Sequence, residues 1–142
     1  MKDKVTLEES YTLLFKCMML SKRHVIDTGT RHELTAMQTM MLFLLDSPRP
    51  MNAFSKIFSC DASNITGLVD SLEQKKLAYR FEDKKDRRIK MVRLEPTGKK
   101  LRSELVQSLA TRDNPLLAKL NDSELNTFTC LLQKITKQVD EV

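Results

Sequence analysis

The feature that most constrains the fold is a change of hydrophobic period near the middle of the chain. Residues 61–77 carry apolar side chains at helical spacing, namely Ile65, Leu68, Val69 and Leu72. Two alternating stretches follow, residues 78–82 and 89–94, with a charged segment between them. Spacings of three and four residues predict a helix, and alternation predicts strands. We therefore expect a helix followed by a β-hairpin with a charged tip.

A shorter helix is expected just before this one. Asn52 is a suitable cap for a helix that carries Phe54, Ile57 and Phe58. Residues 59–61 then predict a turn, and the next helix begins at Asp61 or Ser63. Two helices joined by three or four residues form a helix-turn-helix.

The remaining segments predict longer helices on either side. Apolar spacing predicts a first helix over residues 5–25, with a break at 27–30. Thr35 and Gln38 form a capping-box pattern for a second helix that ends before Pro48 and Pro50. Pro96 marks the start of a fifth helix, and Asn121 with Glu124 that of a sixth.

The expected fold class is mainly α with a small β-hairpin, the wing. Residues 34–98 form the winged helix-turn-helix, and residues 1–33 and 99–142 contribute dimerisation helices to the same compact unit. The long first, fifth and sixth helices have no evident partner inside the small winged module. Their apolar stripes must be buried, and a second copy of the chain is the natural partner.

The positive charge is concentrated in one part of the sequence. The chain has 24 Lys and Arg against 19 Asp and Glu, a net charge of +5. Residues 79–102 hold ten of these basic residues and four of the acidic ones, so the remainder is nearly neutral. A concentrated cationic segment favours a polyanionic partner such as duplex DNA.

Other classes of protein fit poorly. The three cysteines, Cys17, Cys60 and Cys130, are dispersed and odd in number, which argues against a disulfide-framed secreted module. Neither a secretory signal nor a membrane-spanning apolar run is visible, so we expect a cytoplasmic protein. The sequence lacks a phosphate-binding glycine loop, a nucleophile elbow and an HExxH motif, so we expect neither an enzyme nor a cofactor.

The fourth helix offers a face that suits the major groove. Its candidate DNA-binding residues are small or hydrogen-bonding: Ser63, Asn64, Thr66 and Gly67, with Ala62 and Ser71 nearby. Asn can pair with adenine, and Ser or Thr can contact bases or phosphates. The alternative is a capped helix end with a solvated polar face.

The hairpin tip supplies the cations. Lys84, Lys85, Arg87 and Arg88 lie at the tip, and Arg80, Lys90 and Arg93 lie on the strands. An arginine at a narrow tip can enter the minor groove. Asp83 and Asp86 are expected to hold the arginines by ion pairing. A merely solvated hairpin is the alternative, but its position directly after a helix-turn-helix favours nucleic-acid binding.

Three segments together resemble the MarR family of bacterial transcription regulators. They are residues 61–77 (DASNITGLVDSLEQKKL), residues 83–88 (DKKDRR) and residues 94–98 (LEPTG). The resemblance implies a homodimer that binds pseudo-palindromic double-stranded DNA, with the fourth helix in the major groove and Arg88 in the minor groove. Asp86 would orient that arginine. Gly67, Lys76 and Glu95 depart from the family pattern, which has a polar or basic residue, a glycine and a threonine there.

The family's sensing functions suggest further candidates. Met18, Met37 and Met41 form a possible pocket for a small aromatic or phenolic effector, or else fill gaps in an ordinary core. Cys17 is a possible redox sensor, although its apolar neighbours favour a buried thiol, and Cys60 and Cys130 are expected in the core. His24 and His32 lack the spacing of a zinc site, so we expect no metal.

The prediction is therefore a MarR-like dimeric regulator, a repressor that a small ligand releases from DNA. Two alternatives remain. One is a winged-helix adaptor that binds proteins and not DNA, for which the bland face around Gly67 is the best support. The other is a cysteine-based redox regulator.

Overall fold

The structure is a computed structural model that describes residues 5–111 and 113–140, except for the side chains of residues 138–140. It is mainly helical with one three-stranded antiparallel sheet. The elements in chain order are α1 (Leu7–Thr30), α2 (Ala36–Leu44), β1 (Arg49–Pro50), α3 (Met51–Phe58), α4 (Ala62–Gln74), β2 (Ala78–Glu82), β3 (Lys90–Leu94), α5 (Pro96–Leu109) and α6 (Asp122–Asp140). The expected fold class is confirmed.

The sheet contains one strand more than the predicted hairpin. β2 and β3 pair as expected, with Ala78 opposite Leu94 and Glu82 opposite Lys90. β1 adds to the other side of β3, where Arg49 lies opposite Val92. The order is therefore β1-β3-β2. Proline is tolerated in β1 because an edge strand does not need every N–H group.

One continuous core lies between the sheet and helices α2 to α5. Its wholly buried side chains include Met41, Leu42, Phe54, Ile65, Val69, Leu72, Val92 and Leu105. The predicted stripe of α4 lies here, with Leu68 half-buried at its edge. Because this core draws on α2 through α5, the position of α4 is fixed by packing on several elements.

The predicted end of the first helix is wrong. The expected break at residues 27–30 is helical, and α1 continues to Thr30. The hydroxyls of Thr28 and Thr30 donate to the carbonyl groups four residues earlier, so these residues remain compatible with the helix. Gly29 permits a close crossing, since a Cβ there would lie 1.9 Å from Thr39 Oγ1 on α2.

The structure also tests the predicted ends of the other helices. Asn52 does not cap α3, because the helix begins at Met51 with Pro50 as its N-cap residue. The capping box of Thr35 and Gln38 is confirmed by both of its hydrogen bonds. Lys76 takes the left-handed conformation, with φ at 56°, at the position where the family has glycine.

The first half of α1 and most of α6 expose apolar side chains. Leu7, Tyr11, Phe15 and Met18 on α1 are at least about half exposed, as are Leu131 and Ile135 on α6. The last turns of α1 pack on α2 and α5, whereas α6 has no comparable partner among the described elements. The sequence-predicted stripes are therefore present and uncovered in the single chain.

Candidate nucleic-acid interface

Helix α4 has a polar side opposite its core-facing stripe. Ser63, Asn64, Thr66 and Gly67 are all exposed there. Thr66 Oγ1 donates to the carbonyl oxygen of Ala62 at 3.0 Å, a local bond within the helix. The four predicted residues of α4 are thus all accessible, with Ser63 and Gly67 opposite the core and Asn64 and Thr66 on the two flanks of the helix.

Ser71 does not belong to that surface. Gln38 Nε2 donates to Ser71 Oγ at 3.0 Å, and Ser71 Oγ donates to Leu68 O at 2.6 Å. The other end of the same amide, Gln38 Oε1, accepts the backbone N–H of Thr35 at 3.0 Å. One buried glutamine therefore caps α2 and also fixes α4 against it. Its spacing predicted the cap, and nothing local predicted the second bond.

The tip of the wing is organised by Asp83. The backbone N–H groups of Lys85 and Asp86 donate to Asp83 Oδ2 at 3.0 and 3.1 Å. Its own N–H donates to the carbonyl of Ile89 at 3.0 Å, which closes the hairpin. The expected ion pair between Asp83 and an arginine is not among the described contacts. Asp83 shapes the backbone because its carboxylate is used by the turn.

Arg88 is held by Asp86 in a two-pronged ion pair. Arg88 Nε lies 3.1 Å from Asp86 Oδ1, and its Nη2 lies 3.1 Å from Asp86 Oδ2. Hydrogen bonds from this side chain, and from the backbone N–H of Arg88, lower the pKa of Asp86. The Arg88 side chain is nonetheless 91% exposed. Asp86 therefore orients the guanidinium group and leaves it open to solvent.

The other cations of the tip are exposed as well. Arg87 lies 3.7 Å from Glu82 with its side chain 89% exposed, and Lys84 and Lys85 are also exposed. Four basic side chains thus project from one short hairpin. Such a density of exposed positive charge suits a partner that carries closely spaced phosphates.

Arg80 has a different role from the one its charge suggested. Its Nη2 bonds Asp70 of α4, and its Nε and Nη2 lie 3.2 and 3.0 Å from the carboxylate of Glu73. The hydrogen bond from Arg80 is the main cause that lowers the pKa of Glu73. Asp70 and Glu73 are three residues apart, so they are neighbours on the surface of α4 and one arginine from β2 can reach both carboxylates. That spacing was the available signal for this clamp.

Other basic residues of the segment are also partnered within the chain. Lys90 Nζ lies 2.8 Å from Glu82 Oε1, and Arg93 lies over the rings of Tyr79 and Phe81. Arg102 Nε and Nη2 both donate to the carbonyl of Phe43, at 3.2 and 3.1 Å. The fold therefore uses Arg80 and Arg102 within the chain, and leaves exposed the four basic residues of the tip and, at the start of α5, Lys99 and Lys100.

The predicted effector residues do not share an environment. Met41 is wholly buried in the core, Met37 is half-buried, and Met18 is 49% exposed on α1. A cavity of about 480 Å³ lies elsewhere, where the end of α4 meets β2 and the start of α5. It is lined by Glu73, Lys76, Ala78, Tyr79 and residues 95–97.

The predicted burial of two cysteines is wrong for the single chain. Cys17 and Cys130 are exposed on α1 and α6, because the surfaces that carry them have no cover within the chain. Cys60 is half-buried and packs against the core, as expected. Within residues 5–111 and 113–140, no three or more His, Cys, Asp and Glu side chains are grouped to hold a metal ion. No helix in these ranges has the length and apolarity that crossing a membrane requires.

Comparison with known proteins gives a consistent result. Residues 34–90, which hold the helix-turn-helix and the wing as far as the start of β3, match the family model described as MarR family. A putative transcriptional regulatory protein for the hcr operon of Thauera aromatica is 29% identical over 90 residues. That match covers 63% of this chain and spans about half of the relative's length, 54%.

Solved structures show the same fold over nearly the whole chain. A MepR mutant from a multidrug-resistant S. aureus clinical isolate superposes with a TM-score of 0.71 at 21% identity, covering 96% of this chain and 99% of that one. A cysteine-to-serine mutant of E. coli MarR complexed with operator DNA gives 0.60 at 21% identity, covering 92% and 99%. Residues 34–90 therefore match the MarR family model, and the chain as a whole shares the fold of solved MarR-family structures.

Proposed function

We propose that the chain acts as a homodimeric repressor that binds pseudo-palindromic double-stranded DNA. Helix α4 occupies the major groove, and the wing reaches the adjacent minor groove. The observation that carries this proposal is the exposed Arg88 guanidinium, which Asp86 holds in one orientation. A pre-oriented cation loses less conformational entropy on binding, and a narrow minor groove attracts arginine.

The exposed residues of α4 support the same assignment. Asn64 and Ser63 lie at the N-terminal end of a helix whose opposite side buries Ile65, Val69 and Leu72 in the core. A recognition helix contacts base edges through the residues of its first turns. The clamp between Arg80 and the two carboxylates of α4 fixes the wing relative to this helix, so both elements can meet one duplex together.

The homodimer is supported by the apolar side chains that the single chain leaves uncovered. The exposed stripe of α1 continues the face that, in its last turns, packs on the same chain. Large contiguous apolar patches mark interaction sites. A second copy covers α1 and α6 and places two α4 helices on one duplex, with half-sites about one helical turn apart.

Release by a small apolar effector is the regulatory part of the proposal. Met18 is half exposed on α1 and Met37 is half-buried on α2, whereas Met41 is part of the core, so Met37 is the residue of the three to substitute first. Phenolic compounds are the probes to add first to a DNA-binding assay. Release by a phenol that Met37→Ala abolishes would support this site, and equal release from both proteins would contradict it.

The test of DNA binding begins with duplexes selected from a random pool by the native protein. We expect Arg88→Ala to weaken binding about 10- to 100-fold and to reduce the salt dependence by about one charge. Melting should be unchanged, because the Arg88 side chain is almost fully exposed. Lys119→Ala, which removes an exposed charge between α5 and α6, is the matched control and should bind normally.

Two outcomes would overturn the proposal. Enrichment of no duplex at low salt, together with co-purification of a defined protein partner, would favour the adaptor alternative. Equal binding by native protein and Arg88→Ala would show that the wing does not contribute to a DNA complex.

A further inference from the structure

The three glycines of the chain differ in what explains them. A Cβ at Gly29 would lie 1.9 Å from Thr39, and a Cβ at Gly98 would lie 1.9 Å from the carbonyl oxygen of Leu77. The fold therefore requires glycine at both positions. A Cβ at Gly67 would meet nothing within 4 Å. No contact among residues 5–111 and 113–140 explains glycine at this position.

Glycine at position 67 carries a cost for the fold. Gly67 lies in the interior of α4, where glycine is less favourable than alanine because its backbone loses more freedom on folding. The absence of positive φ at any glycine removes the usual conformational reason for one. What remains is the other established use of glycine, a place where the backbone closely approaches a ligand.

Gly67 occupies the row of α4 that faces away from the core. Ser63, Gly67, Asp70 and Gln74 follow at intervals of four, three and four residues, and all are exposed. Between Ser63 and Asp70 the missing side chain leaves a notch on the most outward line of the helix. Any duplex that lies against α4 meets this notch.

The chemistry around the notch indicates what it receives. Helix α4 contains neither Lys nor Arg from Ala62 to Gln74, so it lacks the side chains that pair with guanine or neutralise a phosphate. The polar groups one turn earlier are the hydroxyl of Ser63 and the amide of Asn64, and the carboxylate of Asp70, one turn later, pairs with Arg80. The thymine 5-methyl group is the apolar projection of the major groove, and adenine is the base that Asn pairs with.

We infer that Gly67 is a specificity-determining residue whose notch admits the 5-methyl group of a thymine in the major groove, so that α4 reads an A·T pair. This inference rests on the proposed function, since it assumes that α4 contacts duplex DNA. It makes Gly67 a recognition residue and not a defect in the recognition helix.

The experiment combines Gly67→Ala, which adds a methyl group to α4, with operators in which a thymine has lost its 5-methyl group. The selected operator is compared with versions in which single thymines are replaced by deoxyuridine, which lacks only the 5-methyl group. Gly67→Ala should raise the melting temperature and weaken binding to the thymine operator by about tenfold, as expected for one overpacked contact. At one thymine in each half-site, deoxyuridine should restore binding by Gly67→Ala to within about threefold of the native protein.

Each other outcome overturns the inference. Native-like binding by Gly67→Ala would show that α4 does not approach the duplex closely at this position. Equal weakening on every thymine and deoxyuridine operator would show that the added carbon meets something other than a thymine methyl. In both cases the native protein still binds its operator and the proposed function stands, whereas failure of the native protein to bind any duplex overturns both.

Discussion

The winged helix-turn-helix and the flanking helices meet the burial requirement differently. From α2 to β3, the apolar side chains converge on one core whose central members, such as Phe54 and Val69, are wholly buried. Along the first half of α1 and along α6, comparable side chains such as Phe15 and Ile135 remain about half exposed. One region is complete within a single chain, and the other is not.

The stability of this protein therefore has two parts, the core of the winged region and the contacts of a proposed dimer, and only the second depends on protein concentration. Loss of a buried contact in the winged region weakens the fold at every protein concentration. Loss of a contact between copies weakens a proposed assembly whose stability depends on concentration. The following variants separate the two parts.

The largest effect is expected from Phe54→Ala. Phe54 is wholly buried and its ring lies 5.9 Å from that of Phe58, so truncation leaves a cavity at the centre of the core. We expect a loss of about 3–5 kcal/mol of unfolding free energy in denaturant titrations. Leu131→Ala is the matched truncation on α6, and its loss of unfolding free energy should be small at low protein concentration and grow as the concentration rises, because only the proposed dimer contains the lost contact. An effect of Phe54→Ala that depended equally on concentration would remove the distinction.

A smaller but specific effect is expected from Leu14→Glu. Leu14 lies on the exposed stripe of α1, where a second copy would bury the new carboxylate without a partner. We expect a monomer by light scattering and at least about 100-fold weaker operator binding, because one half-site then binds alone. Thr12→Glu adds the same charge on another side of α1 and should leave the dimer intact. A dimeric Leu14→Glu protein would contradict the assignment of this stripe.

The smallest effect is expected at the joint between α4 and β2, where Arg80 pairs with Asp70 and Glu73. Arg80→Ala should cost about 1 kcal/mol, since the ion pairs it removes are partly exposed. The loss of operator-binding free energy should exceed the loss of unfolding free energy. The variant lacks the ion pairs that hold β2 against α4, and the carboxylate of Asp70 is no longer neutralised on the outward row of α4. Adding Asp70→Asn to Arg80→Ala should recover part of the binding, which a purely structural role would not produce.

Acid should weaken the same joint. The pKa of Glu73 is lowered in the folded chain, so its contribution is complete above the unfolded value of about 4.3 and is lost as pH falls through the lower native value. Between pH 5 and 8 the contribution is constant. The pH dependence of melting in Arg80→Ala should therefore differ from that of the native protein only in acid.

Local patterns predicted the fold well where neighbours in sequence decide the structure. The stripe of α4, the capping box at Thr35 and the β2–β3 hairpin each depend on residues a few positions apart. The strand β1 was missed because two residues carry too little pattern and its pairing with Val92 spans more than forty residues. The end of α1 was misplaced because the contact between Gly29 and Thr39, not local propensity, decides it.

The sequence predicted which residues of the candidate site are exposed, but it did not predict the hydrogen bonds and ion pairs among them. Exposure of Ser63, Asn64 and the wing tip follows from the position of the buried stripe. The sequence counted Arg80 and Arg102 as free charges, whereas the fold uses them to join α4 to β2 and α5 to α2. Ser71 turned inward because Gln38, 33 residues away, offers it a buried donor.

The bond between Gln38 and Ser71 also has a geometric consequence. It joins α4 to α2, and α2 in turn packs on α1 where Gly29 lies directly against Thr39. Helix α1 has 24 residues and is therefore roughly 36 Å long. In the proposed dimer, a tilt on the order of 5° between two copies of α1 acts over this length. It displaces each α4 by about 3 Å, which is close to the rise of one base pair. Because α1, α2 and α4 are joined rigidly, a small change of angle between the two copies changes the spacing of the two α4 helices. They then no longer match the spacing of the half-sites on the DNA.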